Sequence, residues 1–464
     1  MPQGNFILNT YIHLFGILFF AVLHTIDRYA LKTIKFRRDI MPQKLFTRNF
    51  TFLMLGQASS LLGNYTLKFA LSMYVLEQTG SATIFAGLLA LAMLPTILLS
   101  PLGGILADRA NRRNIMVALD TLSGLFVLMA GFALPAGDIC VSGALLVLLS
   151  VLGAFESPTV QACVPQMLSG DNLVKGNAAV NQVASIASLV TPFLGSLFYS
   201  AFGIRPVFYA VAACFLLTAF LECFIQLEHK KAAYSPRISA LIKEDISLST
   251  RFLGREQPGI LKLLLLAALV SLFVAGATVV GFPYLVRTVL GLSAELYGAA
   301  ESALGVASVL GSLGVALMAN KLRMRHLSTV FIAFGLCLIP CGMAFLLPLS
   351  ALNRYFILLT MFCLSQAGCS FFSTYAISII QGRTPEHLMG KIMSCVFTLS
   401  MCAQPVGQMV YGALFDHFSS SAHWVLIPSG LIVCLIGLFS KGFFRNFEGQ
   451  APSGRTEQTP AQEN

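Results

Sequence analysis

A short charged segment between two long apolar runs constrains this chain more than any other feature. The runs cover 82–102 and 114–134, and the segment between them reads GGILADRANRR over 103–113. An apolar run of about 20 residues is long enough to cross a bilayer as a helix. The charged segment must therefore lie at a water interface, and its three arginines predict the cytoplasmic side.

Composition indicates that the chain is a membrane protein. Hydrophobic residues make up 56% of it and charged residues 11%, whereas a soluble domain carries roughly 25% charge. The formal net charge of +10 could suggest a nucleic-acid partner, but the basic residues cluster in loops, so we expect a lipid bilayer and no nucleic acid as partner.

The apolar runs predict an all-α polytopic membrane protein with twelve transmembrane helices in two pseudo-symmetric six-helix bundles. Predicted helices 1 to 12 lie near 50–77, 82–103, 114–134, 139–163, 177–201, 205–226, 260–286, 294–318, 327–348, 355–380, 392–415 and 424–440. Apart from Lys68 within helix 1, only Arg205, Arg287 and Arg354 fall on the side opposite the other lysines and arginines. This bias predicts a multi-pass plasma-membrane protein whose main body begins and ends in the cytoplasm.

The predicted helices divide the chain into five parts. We expect an N-terminal add-on (1–40), an N-terminal bundle (41–226), a cytoplasmic central loop (227–259), a C-terminal bundle (260–440) and a cytoplasmic tail (441–464). The add-on is apolar and then basic, the reverse of a secretory signal. It could form an extra membrane helix, lie at the interface, or precede a true start at Met41.

The two bundles resemble each other in sequence. The stretches 81–87 and 293–298 open helices 2 and 8 with similar residues, and both helices end in glycine and a basic loop. Two related six-helix halves are typical of alternating-access transporters, which bind their substrate between the repeats.

Enzyme chemistry is not indicated. The sequence lacks a Walker A loop, an HExxH motif and a GxSxG motif, and its eleven cysteines form no CxxC pair. We interpret them as small core residues and expect no cofactor and no metal.

The segment 104–113 resembles the signature loop between helices 2 and 3 of the major facilitator superfamily. Further similarity at Gly56, at 79–82, at Pro165 and at 177–182 points to its macrolide-efflux-like and siderophore-exporter-like branch. The resemblance covers roughly residues 49–415 and implies secondary transport.

The resemblance also implies a gating latch at the inner side. Asp108 would face the start of helix 11 near Ile392 and lock the outward-facing state, helped by the helix dipole. Gly103 and Gly104 would allow close helix approach, and the arginines would pair with Asp108, other acids or lipid phosphates. Alternatively, the arginines are topology anchors only. The members of this inner latch are Gly103, Gly104, Asp108, Arg109, Arg112 and Arg113.

Helix 5 contains a weakened form of an antiporter motif of the same superfamily. Thr191 and Ser196 replace its glycines, whereas Pro192 and Gly195 remain. Proline and small residues permit bending and tight packing, which favours export by a rocking bundle. An ordinary membrane-helix proline is the other interpretation.

Ionisable residues within membrane helices are functional candidates. Asp120 and Glu156 fall at a similar inner depth and could form a proton or cation site, although Asp120 could instead support the latch arginines. Lys68 and Glu301 fall in the outer half, where they could pair or contact substrate separately. We expect Glu222 at the inner interface.

Uncharged polar residues complete the list of candidates. They line a substrate cavity or bond neighbouring helices, and they are Asn64, Asn181, Gln182, Gln366, Gln404 and Gln408. The leading hypothesis is a monomeric, proton-coupled exporter of amphiphilic, drug-like or macrolide-like small molecules. The alternatives are a carrier for a metabolite, siderophore or lipid and, least favoured, a non-transporting sensor or scaffold.

Overall fold

A computed structural model describes residues 45–133, 139–169, 171–227, 252–318, 326–385, 388–419 and 421–449. These residues are helical apart from short connections, and no strand occurs among them. The predicted add-on 1–40, most of the central loop and the end of the tail lie outside the described residues.

The described helices follow the predicted order. They are α1 (Arg48–Thr79), α2 (Ala82–Arg109), α3 (Arg112–Ala133), α4 (Ile139–Met167), α5 (Asp171–Phe202), α6 (Ile204–Glu222), α7 (Pro258–Val289), α8 (Ala294–Met318), α9 (His326–Leu346), α10 (Ala351–Arg383), α11 (Met389–His417) and α12 (His423–Gly449).

Ten of these helices are long and apolar enough to cross a membrane. The other two, α1 and α11, are interrupted by polar side chains such as Asn64, Lys68 and Gln404. The all-α membrane class is therefore confirmed, whereas twelve membrane spans remain a prediction.

Helix α7 is irregular in its second half. After an α-helical section it continues with π-helical turns at Ala275–Gly281 and Leu285–Val289. A π-helical turn inserts an extra residue into the helix ladder and is frequent at functional sites. Gly276 lies so close to α11 that an added Cβ would overlap the Tyr411 ring.

The helices pack in pairs that recur after a shift of six. Pairs α1–α5, α2–α4 and α3–α6 have counterparts in α7–α11, α8–α10 and α9–α12. We call α1–α6 the N half and α7–α12 the C half. They meet where α2 packs on α11 and α5 packs on α8. These three pairs agree with the predicted duplication, and the pseudo-symmetry of the two halves remains a prediction.

The names of the two ends follow the predicted orientation. The outer end holds the α1–α2, α7–α8 and α11–α12 connections, and the inner end holds the α2–α3 connection. At the outer end α1 stops at Gly80, which has a positive φ of 61° that glycine adopts without strain. Ser81 then caps α2 by accepting a hydrogen bond from the Ile84 N–H.

Candidate functional site

Asp416 joins the two halves at the outer end. It is near the last residue of α11 and accepts hydrogen bonds from Ser81 Oγ at 2.5 Å, from the Ala82 N–H at 2.7 Å and from the Thr83 N–H at 2.9 Å. The first N–H groups of a helix have no partner within the helix and favour a negative charge. The Asp416 carboxylate thus caps α2 across the boundary between the halves.

A second charged contact lies beside it. Arg287 at the end of α7 forms a salt bridge with Glu77 at the end of α1, and Tyr199 of α5 donates a hydrogen bond of 2.6 Å to the same carboxylate. Arg287 also donates to the Leu292 carbonyl. We call Glu77, Ser81, Tyr199, Arg287 and Asp416 together the outer clamp.

Small residues bring the halves into close contact below the clamp. An added Cβ at Gly298 of α8 would overlap Ser196 and come 2.6 Å from the Pro192 carbonyl oxygen. Gly195 instead faces Thr66 and Phe69 of α1 at an ordinary distance of 3.7 Å. The antiporter-like motif, including the fully buried Thr191, therefore lies where α5 meets α8 and α1.

The C half contains a cavity of about 430 Å³, which we call the C-half cavity. It lies between α7, α8, α10 and α11, at the level where α7 turns π-helical. Its polar lining consists of Ser271, Ser312, Gln366, Ser370, Ser373, Thr374 and Gln404. Among the described residues that line it, none is charged, so it offers hydrogen bonds without a fixed counter-ion.

The cavity candidates from the sequence separate into three groups. Gln366 and Gln404 line the C-half cavity. Gln408 is buried and its amide lies 3.7 Å from the Met93 sulfur of α2, at the boundary between the halves. Asn181 and Gln182 are exposed on α5 and Asn64 is partly exposed on α1. These last three are not among the described lining residues of the C-half cavity.

The arginines of the inner latch reach backbone carbonyls. Arg112 donates to Ala107 of α2 at 2.7 Å and to Ala162 of α4 at 2.7 Å, and Arg113 donates to the Cys223 carbonyl just after α6. Arg109 is exposed. The Asp108 side chain, on which the predicted latch depends, lies outside the described part of the structure.

The two latch glycines have different surroundings. An added Cβ at Gly103 would overlap the Ala154 carbonyl oxygen of α4, so the close approach there is within the N half. A Cβ at Gly104 would meet no atom within 4 Å among the described residues.

Asp120 and Glu156, predicted to share a depth, do meet in space. The hydroxyl of Ser60 on α1 lies 3.3 Å from Asp120 Oδ1 and 3.2 Å from Glu156 Oε1. Glu222, expected at the inner interface, is the last residue of α6 and is buried with 1% of its surface exposed. It faces inward because α6 packs on α1 at Gly56, where an added Cβ would be 3.6 Å from Glu222 Cγ.

Lys68 and Glu301 have different surroundings. Lys68 borders a narrow pocket between α1, α2 and α4 that is otherwise lined mainly by apolar side chains. Glu301 of α8 interacts with the Tyr297 hydroxyl, and the Tyr297 ring stacks on Phe69 of α1 at 5.5 Å. Among the described residues no salt bridge joins Lys68 to Glu301.

Sequence reasoning missed the outer clamp and most hydroxyl groups of the C-half cavity. A signal for the clamp does exist, since Glu77 and Arg287 stand at the same end of helices 1 and 7, which the predicted duplication relates. Opposite charges at duplicated positions could have indicated a contact between the halves.

Comparison with known proteins identifies the class. Residues 53–408 match the Major Facilitator Superfamily. Macrolide efflux protein A of Streptococcus pyogenes is 24% identical over 391 residues, covering 82% of this chain and 92% of the relative. Multidrug efflux pump Tap of Mycolicibacterium fortuitum is 26% identical over 389 residues, covering 81% and 91%.

Solved structures show the same fold. A bacterial homologue of the iron transporter ferroportin, in an inward-facing state, aligns with a TM-score of 0.64 at 16% identity and covers 85% of this chain and 98% of that one. The helical bundle and the sequence matches define a membrane transporter and not an enzyme. The chain belongs to the major facilitator superfamily, and the predicted resemblance to its efflux transporters is confirmed.

Proposed function

We propose that the protein exports amphiphilic small molecules, of drug or macrolide type, in exchange for protons. It would act by alternating access as a monomer in the plasma membrane, with the ends of its main body in the cytoplasm. The C-half cavity supports this proposal most directly, and the relatives named as macrolide and multidrug efflux proteins support the substrate class.

The lining of the C-half cavity suits an amphiphile with neutral polar groups. Serine and threonine hydroxyls and the amides of Gln366 and Gln404 supply donors and acceptors, whereas Val270, Val274 and Val279 supply apolar contact. Binding sites for small molecules combine such apolar walls with a few placed polar groups. The other cavity candidates, Asn64, Asn181 and Gln182, would contact substrate when the halves rearrange.

The outer clamp holds the outer end closed in one state of the proposed transport cycle. Its polar contacts and the packing of Pro192 and Ser196 on Gly298 hold the halves together at the outer end. Opening to the outside would break these contacts, while the inner latch around Asp108 would form in compensation. A carrier needs two such states of similar free energy.

Coupling to protons requires carboxyl groups within the membrane. Glu301 contacts Tyr297 at the boundary between the halves, so its protonation would act directly on the contact between α8 and α1. Asp120 and Glu156 supply a second location. Lys68 would contact substrate on its own and not as the partner of Glu301.

The test is drug accumulation in cells that express the full chain. A radiolabelled macrolide and a fluorescent lipophilic cation serve as probes, with and without a protonophore. We expect the wild type to lower accumulation of at least one probe, the protonophore to abolish the difference, and Glu301→Gln to export several-fold less.

A matched glutamine pair tests the cavity. Gln404→Ala removes an amide from the lining and should weaken export, whereas Gln161→Ala removes an exposed amide from α4 and should leave it unchanged. Equal export by these two variants would contradict the cavity assignment. If the protein transported only metabolites, siderophores or lipids, it would still be a carrier, but the proposed drug specificity would be wrong.

A further inference from the structure

Three carboxyl groups converge inside the N half, away from the C-half cavity. Asp120 of α3 is fully buried, Glu222 of α6 is 1% exposed and Glu156 of α4 is partly exposed. Asp120 and Glu156 contact Ser60 of α1, which is 3% exposed, and Glu222 faces Asp120. We call Asp120, Glu156 and Glu222 the acid cluster.

The contacts of Ser60 favour a proton on at least one carboxyl. Its oxygen lies within hydrogen-bond distance of both Asp120 and Glu156, but a hydroxyl carries a single hydrogen, so two ionised carboxylates would have to share it. A protonated carboxyl can instead donate to Ser60 Oγ.

Glu222 leads to the same conclusion by an independent route. It faces Asp120 closely enough to interact with it, yet both of its oxygens and Asp120 Oδ2 have no hydrogen-bond partner among the described residues. A buried polar group without a partner is costly. One proton between these two carboxyls would give both a partner.

Within the described parts of the chain, none of the three carboxyls forms a salt bridge with a lysine or arginine. Lys68 lies two helical turns from Ser60, about 12 Å along α1. Arg113 donates to the carbonyl of Cys223, the residue after Glu222, and Arg112 donates to the carbonyl of Ala162 on α4. Other titratable side chains near the cluster on these helices are Tyr65, Arg112, Cys163, Cys214 and Cys223.

Burying an unpaired charge costs several kcal/mol, and neighbouring like charges add to this cost. We propose that the acid cluster is a proton-binding site, in which protons shared among Asp120, Glu156 and Glu222 take the place of a counter-ion. Among its members, Glu156 is the one that exposes part of its surface, and Ser60 contacts both Glu156 and Asp120.

The position of the site indicates how it acts. Glu222 is the last residue of α6, and the next carbonyl, that of Cys223, accepts a hydrogen bond from Arg113 of the inner latch. Proton binding therefore changes the charge directly beside a latch contact. The described lining of the C-half cavity comes from α7, α8, α10 and α11, so proton and substrate would be linked through movement of the halves and not by competition for one pocket. This role rests on the proposed proton-driven export.

Infrared difference spectroscopy tests the site without transport. Purified full-length protein in lipid nanodiscs is titrated with acid and base in the Glu301→Gln background, which removes the carboxyl group within α8. We expect a protonated-carboxyl C=O absorption that persists near neutral pH. Glu222→Gln, Asp120→Asn and Glu156→Gln should each reduce it, and Glu256→Gln, which changes an exposed acid before α7, should not.

The outcomes separate this inference from the proposed function. An absorption that is missing, or unchanged in all three cluster variants, overturns the proton site even if drugs are exported. An absorption that depends on the cluster supports the proton site even if no drug is exported. In that case only the proposed export function is wrong. The three isosteric variants test the same site, so a single variant that fails to fold leaves two that decide.

Discussion

Carboxyl groups occupy two very different surroundings in this bundle. In the outer clamp, Asp416 accepts three hydrogen bonds, and Glu77 accepts one from Tyr199 and forms a salt bridge with Arg287. In the acid cluster, the hydroxyl of Ser60 contacts both Asp120 and Glu156. Glu222 has no hydrogen-bond donor among the described residues.

The difference follows from where donors exist in a helical protein. The first N–H groups of a helix are free to bind an acceptor, whereas those in the middle are already bonded to carbonyl groups four residues earlier. Asp416 meets the start of α2 and can remain ionised. Asp120 lies in the third turn of α3, where only side chains can supply hydrogen-bond donors, so protons replace them.

The helices of the C half that pack in the same way carry neutral groups. Between α9, α10 and α12, Cys337 lies near Ser365, Cys369 and Cys434. The same packing arrangement thus exists without carboxyl groups. Acids are therefore not needed to pack such a group of three helices, which favours a functional reason for those in the N half.

The largest expected effect comes from removing the clamp carboxylate. Asp416→Ala leaves the first N–H groups of α2 and the Ser81 hydroxyl without their acceptor, and a hydrogen bond to a charged group contributes about 1.5–3 kcal/mol. Since 1.4 kcal/mol is a factor of ten, we expect hydrogen exchange at Ala82 and Thr83 to accelerate by about tenfold or more, as measured by mass spectrometry.

His417→Ala is the matched control for Asp416→Ala. This exposed neighbour is the next residue on α11 and should leave exchange in α2 unchanged. Unchanged protection of α2 in the Asp416 variant would mean that the cap contributes nothing to closing the outer end.

The salt bridge of the clamp should have a smaller effect. The side chains of Arg287 and Glu77 are 15% and 38% exposed, so solvent weakens their attraction and we expect a coupling of about 1 kcal/mol or less. A double-mutant cycle of Glu77→Gln and Arg287→Gln, followed by denaturant unfolding in detergent, measures it. Strictly additive losses would show that the two charges do not stabilise the closed end together.

Much of the fold could be predicted from the sequence, but the helix ends differ in an instructive way. Helix 2 starts at 82 as predicted, because Ser81 caps it. Its inner end lies at Arg109 and not near 103, and α12 reaches Gly449 and not 440. Apolar runs mark the hydrocarbon layer, whereas a helix continues into the polar interface as long as its backbone is bonded.

The sequence predicts how deep the site residues lie along their helices, but not the direction in which their side chains point. The rise of 1.5 Å per residue placed Asp120 and Glu156 at one level, and they do share Ser60. The same reasoning placed Glu222 at the inner end of α6 but did not show that it is buried, because distance along α6 does not reveal that its side chain turns towards Gly56. Which face a helix presents depends on partners that are distant in sequence.

The smallest stability effect, and one of opposite sign to the clamp, is expected at Glu222. Glu222→Gln keeps the shape of the side chain, cannot become charged and resembles the protonated acid, so it should leave the unfolding midpoint in detergent unchanged or raise the stability by about 1 kcal/mol. Glu222→Ala is the control, because it also removes buried methylene groups and should destabilise by about 1–2 kcal/mol. A large loss of stability in Glu222→Gln would mean that Glu222 is ionised and has a partner. Its surroundings would then resemble those of the carboxylates in the outer clamp.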